Sequence, residues 1–350
     1  MSLENKRSAR LVDTAPFSWN SNKKLQIRNL PGRSPFYPTQ LRARAGLLAS
    51  TPGLRPAGRW AILSAMNEAA LDDAALVVLG HGTTLNDQSA APVWQHAAEL
   101  RRRRVFREVR EAFWKQEPRI TEVLAEISAP RVFIVPLFVS EGYFAGEAIP
   151  KALGFDTSPT VRAEALVKAD HASRTTFYCQ PVGSHASMTR IILSRAADIT
   201  RQFPFPRAPK PGETTLFIAG HGTEKSAKSR LAIDQQVELI QAQKIYADVR
   251  AVFMEEEPRI AGALALAQTK NCVVVPFFIS DGLHVVEDIP VLLGEPVAVV
   301  KARLNAGQPT WRNPTELHGK LVWYSSSVGT APDLADVILE RVREGMKTNC

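Results

Sequence analysis

The stretch around which this chain is organised is Val273–Pro290, which reads VVVPFFISDGLHVVEDIP. It opens with a short apolar run rich in β-branched residues, the pattern of a strand that is buried on both faces. The run breaks at Ser280–Gly282, where Ser-Asp-Gly is a turn signal. The stretch therefore predicts a buried strand with His284 just past its end, followed by a short helix over residues 291–294.

The same stretch occurs 140 residues earlier in the chain. Residues 132–150 read VFIVPLFVSEGYFAGEAIP, and three turn or helix-start residues match their later counterparts: Pro136 with Pro276, Gly142 with Gly282, and Pro150 with Pro290. One difference changes the chemistry, because Phe144 stands where the later copy has His284. The pattern indicates a duplication in which one copy kept a metal-capable residue and the other lost it.

Composition predicts a globular protein with two cores. A chain of 350 residues with 45% hydrophobic and 22% charged residues is long enough to bury both. It contains no apolar run long enough to span a bilayer, and its first residues lack the apolar segment of a secretory signal. We therefore expect a cytoplasmic protein with no membrane partner.

The three cysteines are Cys179, Cys272 and Cys350. They lie far apart and none belongs to a Cys-x-x-Cys pair, which argues against a structural zinc site and against an iron–sulfur cluster. We expect reduced, buried and unreactive thiols.

The positive charge lies in residues 1–70, a proline-containing segment without sustained apolar periodicity. This segment holds eleven Lys and Arg against three Asp and Glu, which accounts for the whole net charge of +8. It is predicted as an irregular extension, with a short helix over residues 57–71. A basic arm can contact nucleic acid or acidic lipid. Because no aromatic interleaving or nucleic-acid motif accompanies the charge, we expect no nucleic-acid partner.

The rest of the chain is predicted as two tandem repeats, residues 71–202 and 214–345, joined by the proline-rich linker 203–213. Each repeat begins with a buried strand followed by Gly-His-Gly-Thr, and long helices are predicted over residues 90–115 and 237–253. The later repeat has extra residues at 304–317, predicted as a surface loop. Alternation of strands and helices predicts a parallel sheet covered by helices in each repeat.

Three polar positions near strand or helix ends differ between the repeats. The second repeat has His221, Glu255 and His284, whereas the first has His81, Lys115 and Phe144 at the same positions. Because the carboxyl ends of parallel strands meet at one edge of a sheet, the second set is expected to converge. Two imidazoles and a carboxylate suit Co²⁺, Fe²⁺, Ni²⁺ or Zn²⁺. The alternative is that each histidine is an ordinary hydrogen-bonded residue at a strand end.

These motifs together resemble the ATP-independent chelatases of tetrapyrrole biosynthesis, the CbiX/SirB-like sirohydrochlorin cobaltochelatases and ferrochelatases. The residues that carry the resemblance are Gly220-His221-Gly222-Thr223, the segment 253–258 and the segment 282–290. It covers about residues 72–344 as two fused halves. The resemblance implies an α/β fold of two tandem flavodoxin-like domains that face each other across a cleft for the tetrapyrrole.

The resemblance also implies a reaction and a set of residues. The family's two histidines fall on His221 and His284 and its glutamate on Glu255, which would bind Co²⁺ or Fe²⁺, with Ni²⁺ also open, and would use no nucleotide. Insertion displaces two pyrrole protons, which an imidazole can accept near neutral pH. Further candidates for contact with the tetrapyrrole are Gly222, Thr223, Lys225, Lys228, Arg230 and His81.

The departures of the first repeat leave other functions open. Lys115 and Phe144 cannot serve as metal ligands, so the first repeat would form the opposite wall of the cleft. A chelatase-derived protein that binds a tetrapyrrole or a metal without turnover is one alternative. A scaffold like the periplasmic binding proteins, with purely structural histidines, is another. We expect a monomer or a homodimer.

Overall fold

A computed structural model describes residues 71–83, 89–158, 164–170, 173–223 and 227–347. The predicted extension, residues 1–70, lies outside the described residues. Both repeats belong to one compact unit. Within the described ranges no helix combines the length and the apolarity that crossing a membrane requires.

The first repeat is a five-stranded sheet with helices on its faces. Its strands run in the order β2-β1-β3-β5-β4, and β4 alone among them is antiparallel to its neighbour. The elements are β1 (Ala74–Gly80), α1 (Ala91–Arg103), β2 (Glu108–Phe113), α2 (Ile120–Glu126), β3 (Arg131–Pro136), a π-helix (Phe144–Ala148), α3 (Ile149–Ala152), β4 (Ala165–Ala169), β5 (Thr175–Cys179) and α4 (Met188–Gln202).

The second repeat has the same architecture, with strand order β7-β6-β8-β10-β9 and an antiparallel edge strand β9. Its elements are β6 (Thr214–Gly220), α5 (Ala227–Ala242), β7 (Asp248–Phe253), α6 (Ala263–Leu266), β8 (Asn271–Pro276), a π-helix (His284–Asp288), α7 (Ile289–Leu293), α8 (Val297–Asn305), β9 (Thr315–Leu317), β10 (Lys320–Tyr324) and α9 (Leu334–Lys347).

The central strands explain why the sequence predicts the fold class. All seven residues of β1 and of β6 are buried, as expected for apolar strands covered by helices on both faces. The predicted α/β fold of two tandem repeats is confirmed, and each sheet is mostly parallel with an antiparallel edge. The prediction of buried thiols is also confirmed for Cys179 and Cys272.

The long helices predicted over residues 90–115 and 237–253 are wrong in their second halves. The helices end at Arg103 and Ala242, and the residues that follow form β2 and β7. No glycine marks the stops: Arg104 and Lys244 take the left-handed conformation instead, with φ of 56° and 54°. Once the helix has stopped, the alternation Glu-Val-Arg or Asp-Val-Arg follows the two-residue period of a strand.

Two predicted details of the second repeat also need correction. His284 does not follow its strand directly, because it opens the π-helix 284–288. The short helix predicted at 291–294 is present as α7, which starts two residues earlier, continues the π-helix and ends at Leu293. The loop predicted at 304–317 contains the end of α8 and the edge strand β9. α8 packs against the π-helix and so supports the element that carries His284.

The two repeats exchange their last helices. The first repeat's α4 packs on β8, β10 and α5, while the second repeat's α9 packs on β3, β5 and α1. Buried Arg341 of α9 donates to the Pro181 carbonyl at 2.8 Å, and Arg195 of α4 donates to the Ser327 carbonyl at 3.1 Å. Each sheet is therefore completed by a helix of the other repeat, and one core cluster spans both.

Candidate metal centre

The structure brings His221 and His284 together at the carboxyl edge of the second sheet. His221 directly follows β6, and His284 begins the π-helix that follows β8, the strand next to β6. The centroids of the two imidazole rings lie 5.1 Å apart with the rings at 78°. The side chains are 40% and 48% exposed, so the pair faces solvent at an open edge.

His221 is oriented by the turn that holds it. Its Nδ1 lies 2.8 Å from the carbonyl oxygen of Gly222. A carbonyl only accepts, so Nδ1 carries the proton and Nε2 keeps its lone pair. Gly222 has φ of 69°, and a Cβ there would lie 2.7 Å from Cγ of Glu256, so the turn requires glycine on both counts.

His284 is oriented by a carboxylate on its own helix. Its Nδ1 donates to Oδ2 of Asp288 at 2.7 Å, and Asp288 is 19% exposed. This contact again leaves the lone pair on Nε2 and makes the imidazole a better donor to a metal. The sequence analysis missed this role of Asp288, although a spacing of four residues on a helical segment was the available signal.

Glu255 lies beside the pair but does not complete it. Its Oε2 is 3.8 Å from Nδ1 of His221, and its backbone N–H donates to the His221 carbonyl at 3.1 Å. Among the residues that the structure describes, no three His, Cys, Asp or Glu side chains are arranged to hold a metal ion. The site is therefore an open pair of imidazoles with a mobile carboxylate within reach.

The first repeat reproduces this geometry without the donors. His81 Nδ1 lies 2.9 Å from the Gly82 carbonyl, and the His81 ring lies 4.8 Å from the ring of Phe144 at 70°. Lys115, the counterpart of Glu255, places its ammonium 5.8 Å from the centroid of the Phe144 ring. A hydrocarbon ring and a cation thus occupy the positions of a ligand and a carboxylate.

The structure separates the residues predicted to contact the tetrapyrrole. Lys225 lies outside the described residues, and Thr223 is half-buried beside Gly222. Arg230 is held by the fold: it donates to the Glu257 carbonyl at 2.8 Å and lies 5.0 Å from the Phe253 ring.

Lys228 reaches across to the first repeat. Its ammonium lies 3.7 Å from where a Cβ would stand on Gly146, in the first repeat's π-helix. It lines a cavity of about 120 Å³ between the repeats, together with Glu141 and Tyr178. Of the described lysine and arginine candidates, Lys228 is therefore the one placed between the two repeats.

Sequence comparison finds relatives over both repeats. A profile of the CbiX family matches residues 75–199 and 215–345. A "Probable sirohydrochlorin cobaltochelatase" from Halobacterium salinarum is 38% identical over 278 residues, which are 77% of this chain and 91% of that protein. A "Sirohydrochlorin cobaltochelatase" from Methanopyrus kandleri is 24% identical over 151 residues, which are 37% of this chain and 96% of that protein. That whole relative thus corresponds to about one repeat.

Two solved structures share the fold. DR2241 from Deinococcus radiodurans, described as similar to chelatases with two additional novel domains, superposes with a TM-score of 0.63 and 25% identity, covering 78% of this chain. The match spans 55% of the DR2241 chain. SirB from Bacillus subtilis with Fe³⁺ superposes with a TM-score of 0.52 and 17% identity, covering 79% of this chain and 97% of that one.

Proposed function

Because the chain belongs to the CbiX family, we propose that it is a chelatase, a lyase that inserts Co²⁺ or Fe²⁺ into sirohydrochlorin or a related tetrapyrrole. The observation that carries this proposal is the pair of adjacent imidazoles, His221 and His284, each with Nδ1 engaged and Nε2 left as a donor. Such a reaction belongs to cobalamin-type or siroheme-type biosynthesis.

The open geometry suits a metal that is a substrate. A closed set of four protein ligands holds an ion permanently, whereas an incomplete set leaves positions for water or for an incoming ligand. Two neutral imidazoles at an exposed edge bind the ion loosely enough for the pyrrole nitrogens to replace them. The carboxylate of Glu255 lies 3.8 Å from the His221 imidazole and its side chain is 46% exposed, so it is placed to assist the pair.

The two imidazoles can also accept the two protons that the macrocycle loses. Once the ion has left, each Nε2 can accept a proton. The carboxylate of Asp288 holds His284 through Nδ1, so that Nε2 is the accepting atom of this ring too. The Gly222 carbonyl holds His221 in the orientation in which Nε2 is the accepting atom.

Cobalt is the metal that we favour. The relative with the broader match is named a cobaltochelatase, and that match spans both repeats. Nitrogen and oxygen donors bind Co²⁺, Fe²⁺ and Ni²⁺ alike, so geometry and supply decide among them. Because one chain already contains both repeats, a monomer can present both walls of the cleft, with no resident metal and no nucleotide required.

The test is an insertion assay in which the purified chain is incubated with sirohydrochlorin and Co²⁺, Fe²⁺ or Ni²⁺ in turn and the absorption spectrum is followed. We expect His221→Ala and His284→Ala each to lower the rate at least about a hundredfold. Removing a direct ligand should lower the rate more than removing a residue that only supports a ligand, which typically costs about 10- to 100-fold. His81→Ala, which removes the equivalent imidazole of the first repeat, should cost much less than either substitution in the second repeat. Equal losses in all three variants would contradict a single site.

The assay also separates the alternative of a carrier protein. A non-catalytic tetrapyrrole- or metal-binding protein is favoured by one observation, that no third ligand closes the site within the described part of the chain. A carrier would show one binding event per chain and no multiple turnover. If Co²⁺ bound neither the wild type nor the histidine variants, both histidines would be structural.

A further inference from the structure

We propose that the metal-free half is itself a binding surface, on which the conjugated ring of a polycarboxylate tetrapyrrole stacks before the metal arrives. This inference rests on the proposed function. It concerns a surface that we call the shelf, formed by His81, Trp114, Lys115, Tyr143 and Phe144. The first repeat would then have lost its metal ligands and gained a site that holds the substrate.

The shelf presents aromatic surface to solvent. Tyr143 is 66% exposed and Phe144 is 36% exposed. Their ring centroids lie 5.5 Å apart at 64°, and Phe144 makes an edge contact with His81. Large aromatic side chains left exposed together in one place are typical of a surface that binds something flat or apolar.

A cation accompanies the rings. Lys115 is exposed, and its ammonium lies 5.8 Å from the Phe144 centroid and 6.0 Å from the Trp114 centroid. Within the described residues, Lys115 takes part in no ion pair, so its charge is available to a ligand. An exposed ring that stacks on a conjugated macrocycle, with its neighbours meeting the macrocycle edge-on and a cation beside it for the carboxylates, matches the chemistry of a tetrapyrrole.

The comparison between repeats shows that these residues are particular to the first. The positions of Trp114, Lys115, Tyr143 and Phe144 are taken in the second repeat by Met254, Glu255, Leu283 and His284. The backbone framework is retained, since Lys115 N–H donates to the His81 carbonyl at 2.8 Å and Glu255 N–H donates to the His221 carbonyl. Thus aromatic and cationic groups have replaced ligands on an unchanged support.

The shelf also adjoins the second repeat. Gly146 lies on the same π-helix as Phe144, and Lys228 of α5 approaches it from the other repeat. α5 follows the turn that carries His221. The helical segment that carries Phe144 is therefore in contact with the second repeat.

The experiment measures binding without metal, using metal-free uroporphyrin, a fluorescent polycarboxylate porphyrin, and the full chain treated with a chelator. We expect Phe144→Leu, which keeps the apolar volume but removes the ring, to weaken uroporphyrin binding about tenfold. Lys115→Gln should weaken it and reduce its dependence on salt. Leu283→Ala, at the counterpart of Tyr143, is the matched control and should bind like the wild type.

Two results keep this inference apart from the proposed function. Both use uroporphyrin binding by the wild type, Phe144→Leu and Lys115→Gln, together with metal insertion by the wild type. If Phe144→Leu and Lys115→Gln both bound uroporphyrin as tightly as the wild type, the shelf would be refuted even though the chain inserted metal. If binding depended on Phe144 but the wild type inserted no metal, the shelf would stand and the chelatase proposal would fail.

Discussion

Asp288 accepts a hydrogen bond from Nδ1 of His284 at 2.7 Å, one helical turn away on the same π-helix. The contact fixes which nitrogen of His284 faces outward as a donor. We therefore propose that Asp288 is a positioning residue for the candidate metal centre.

Replacing Asp288 by asparagine tests that role. Asp288→Asn keeps the shape but removes the charge, and we expect metal affinity or insertion rate to fall about 10- to 100-fold, as is typical for partners of a ligating histidine. The measurements are the Co²⁺ dissociation constant and kcat/KM for insertion. Glu287→Gln, which removes a carboxylate from the next residue of the same helix, is the control and should leave both values unchanged. If both substitutions had equal effects, the loss would come from removing a negative charge from the helix, and not from the contact with His284.

The lost site of the first repeat should be recoverable. The triple substitution Phe144→His, Ala148→Asp and Lys115→Glu restores the residue types of the second repeat on a framework that the structure shows to be equivalent. We expect equilibrium dialysis to show one additional Co²⁺ ion bound per chain. Phe144→Leu is the control and should add none. An unchanged stoichiometry in the triple variant would mean that the two edges differ in more than these donors.

The exchanged helices should dominate the coupling between the repeats. Arg341 is buried, and its guanidinium donates to the Pro181 carbonyl and to the Ser184 hydroxyl of the first repeat. Arg341→Met removes both guanidinium hydrogen bonds and leaves the Pro181 carbonyl with only the 3.3 Å bond from the Ser184 hydroxyl, so we expect a loss of roughly 2–4 kcal/mol in the free energy of unfolding. Arg343→Met, on the same helix, should cost less than about 0.5 kcal/mol. Urea unfolding measures both, and similar losses in the two variants would contradict the assignment.

Acid should weaken the same interface. Partial burial alone would raise the pKa of Glu344, but hydrogen bonds with His185 and Arg341 lower it to about 2. Because the pKa in the folded state lies below the ordinary value of 4.5, the ionised carboxylate stabilises the fold above about pH 4.5. That contribution is lost as the pH falls towards 2.

Unfolding free energies at about pH 5 and about pH 3 check this dependence. We expect Glu344→Gln to be less stable than the wild type at the higher pH and to lose less stability on acidification. Glu316→Gln, on the exposed edge strand β9, should follow the wild-type curve. If Glu344→Gln kept the full wild-type acid dependence, the interface would not be the source of it.

The fold class could be predicted because strands buried in a parallel sheet have mostly apolar sequences, as in β1, β6 and β8. The second halves of the predicted long helices failed for a local reason. Arg104 and Lys244 end their helices in the left-handed conformation, which glycine usually adopts at this position. Because neither residue is a glycine, nothing in the sequence showed that the helices end there. The π-helix that begins at His284 was missed as well, since its first turn has no cap that sequence patterns reveal.

The sequence by itself determined that the chain is a duplication and that the full set of two imidazoles and a carboxylate occurs in only one copy, because the identity of a donor atom is a property of the residue. Only the tertiary structure decided where those atoms lie: that the rings of His221 and His284 adjoin, that Asp288 holds one of them, and that Lys115 lies over the ring of Phe144. It also decided that α4 packs on the second sheet and α9 on the first. Such contacts join residues distant in the chain, and two halves of the same architecture carry the same pattern of elements whether each terminal helix packs on its own sheet or on the other.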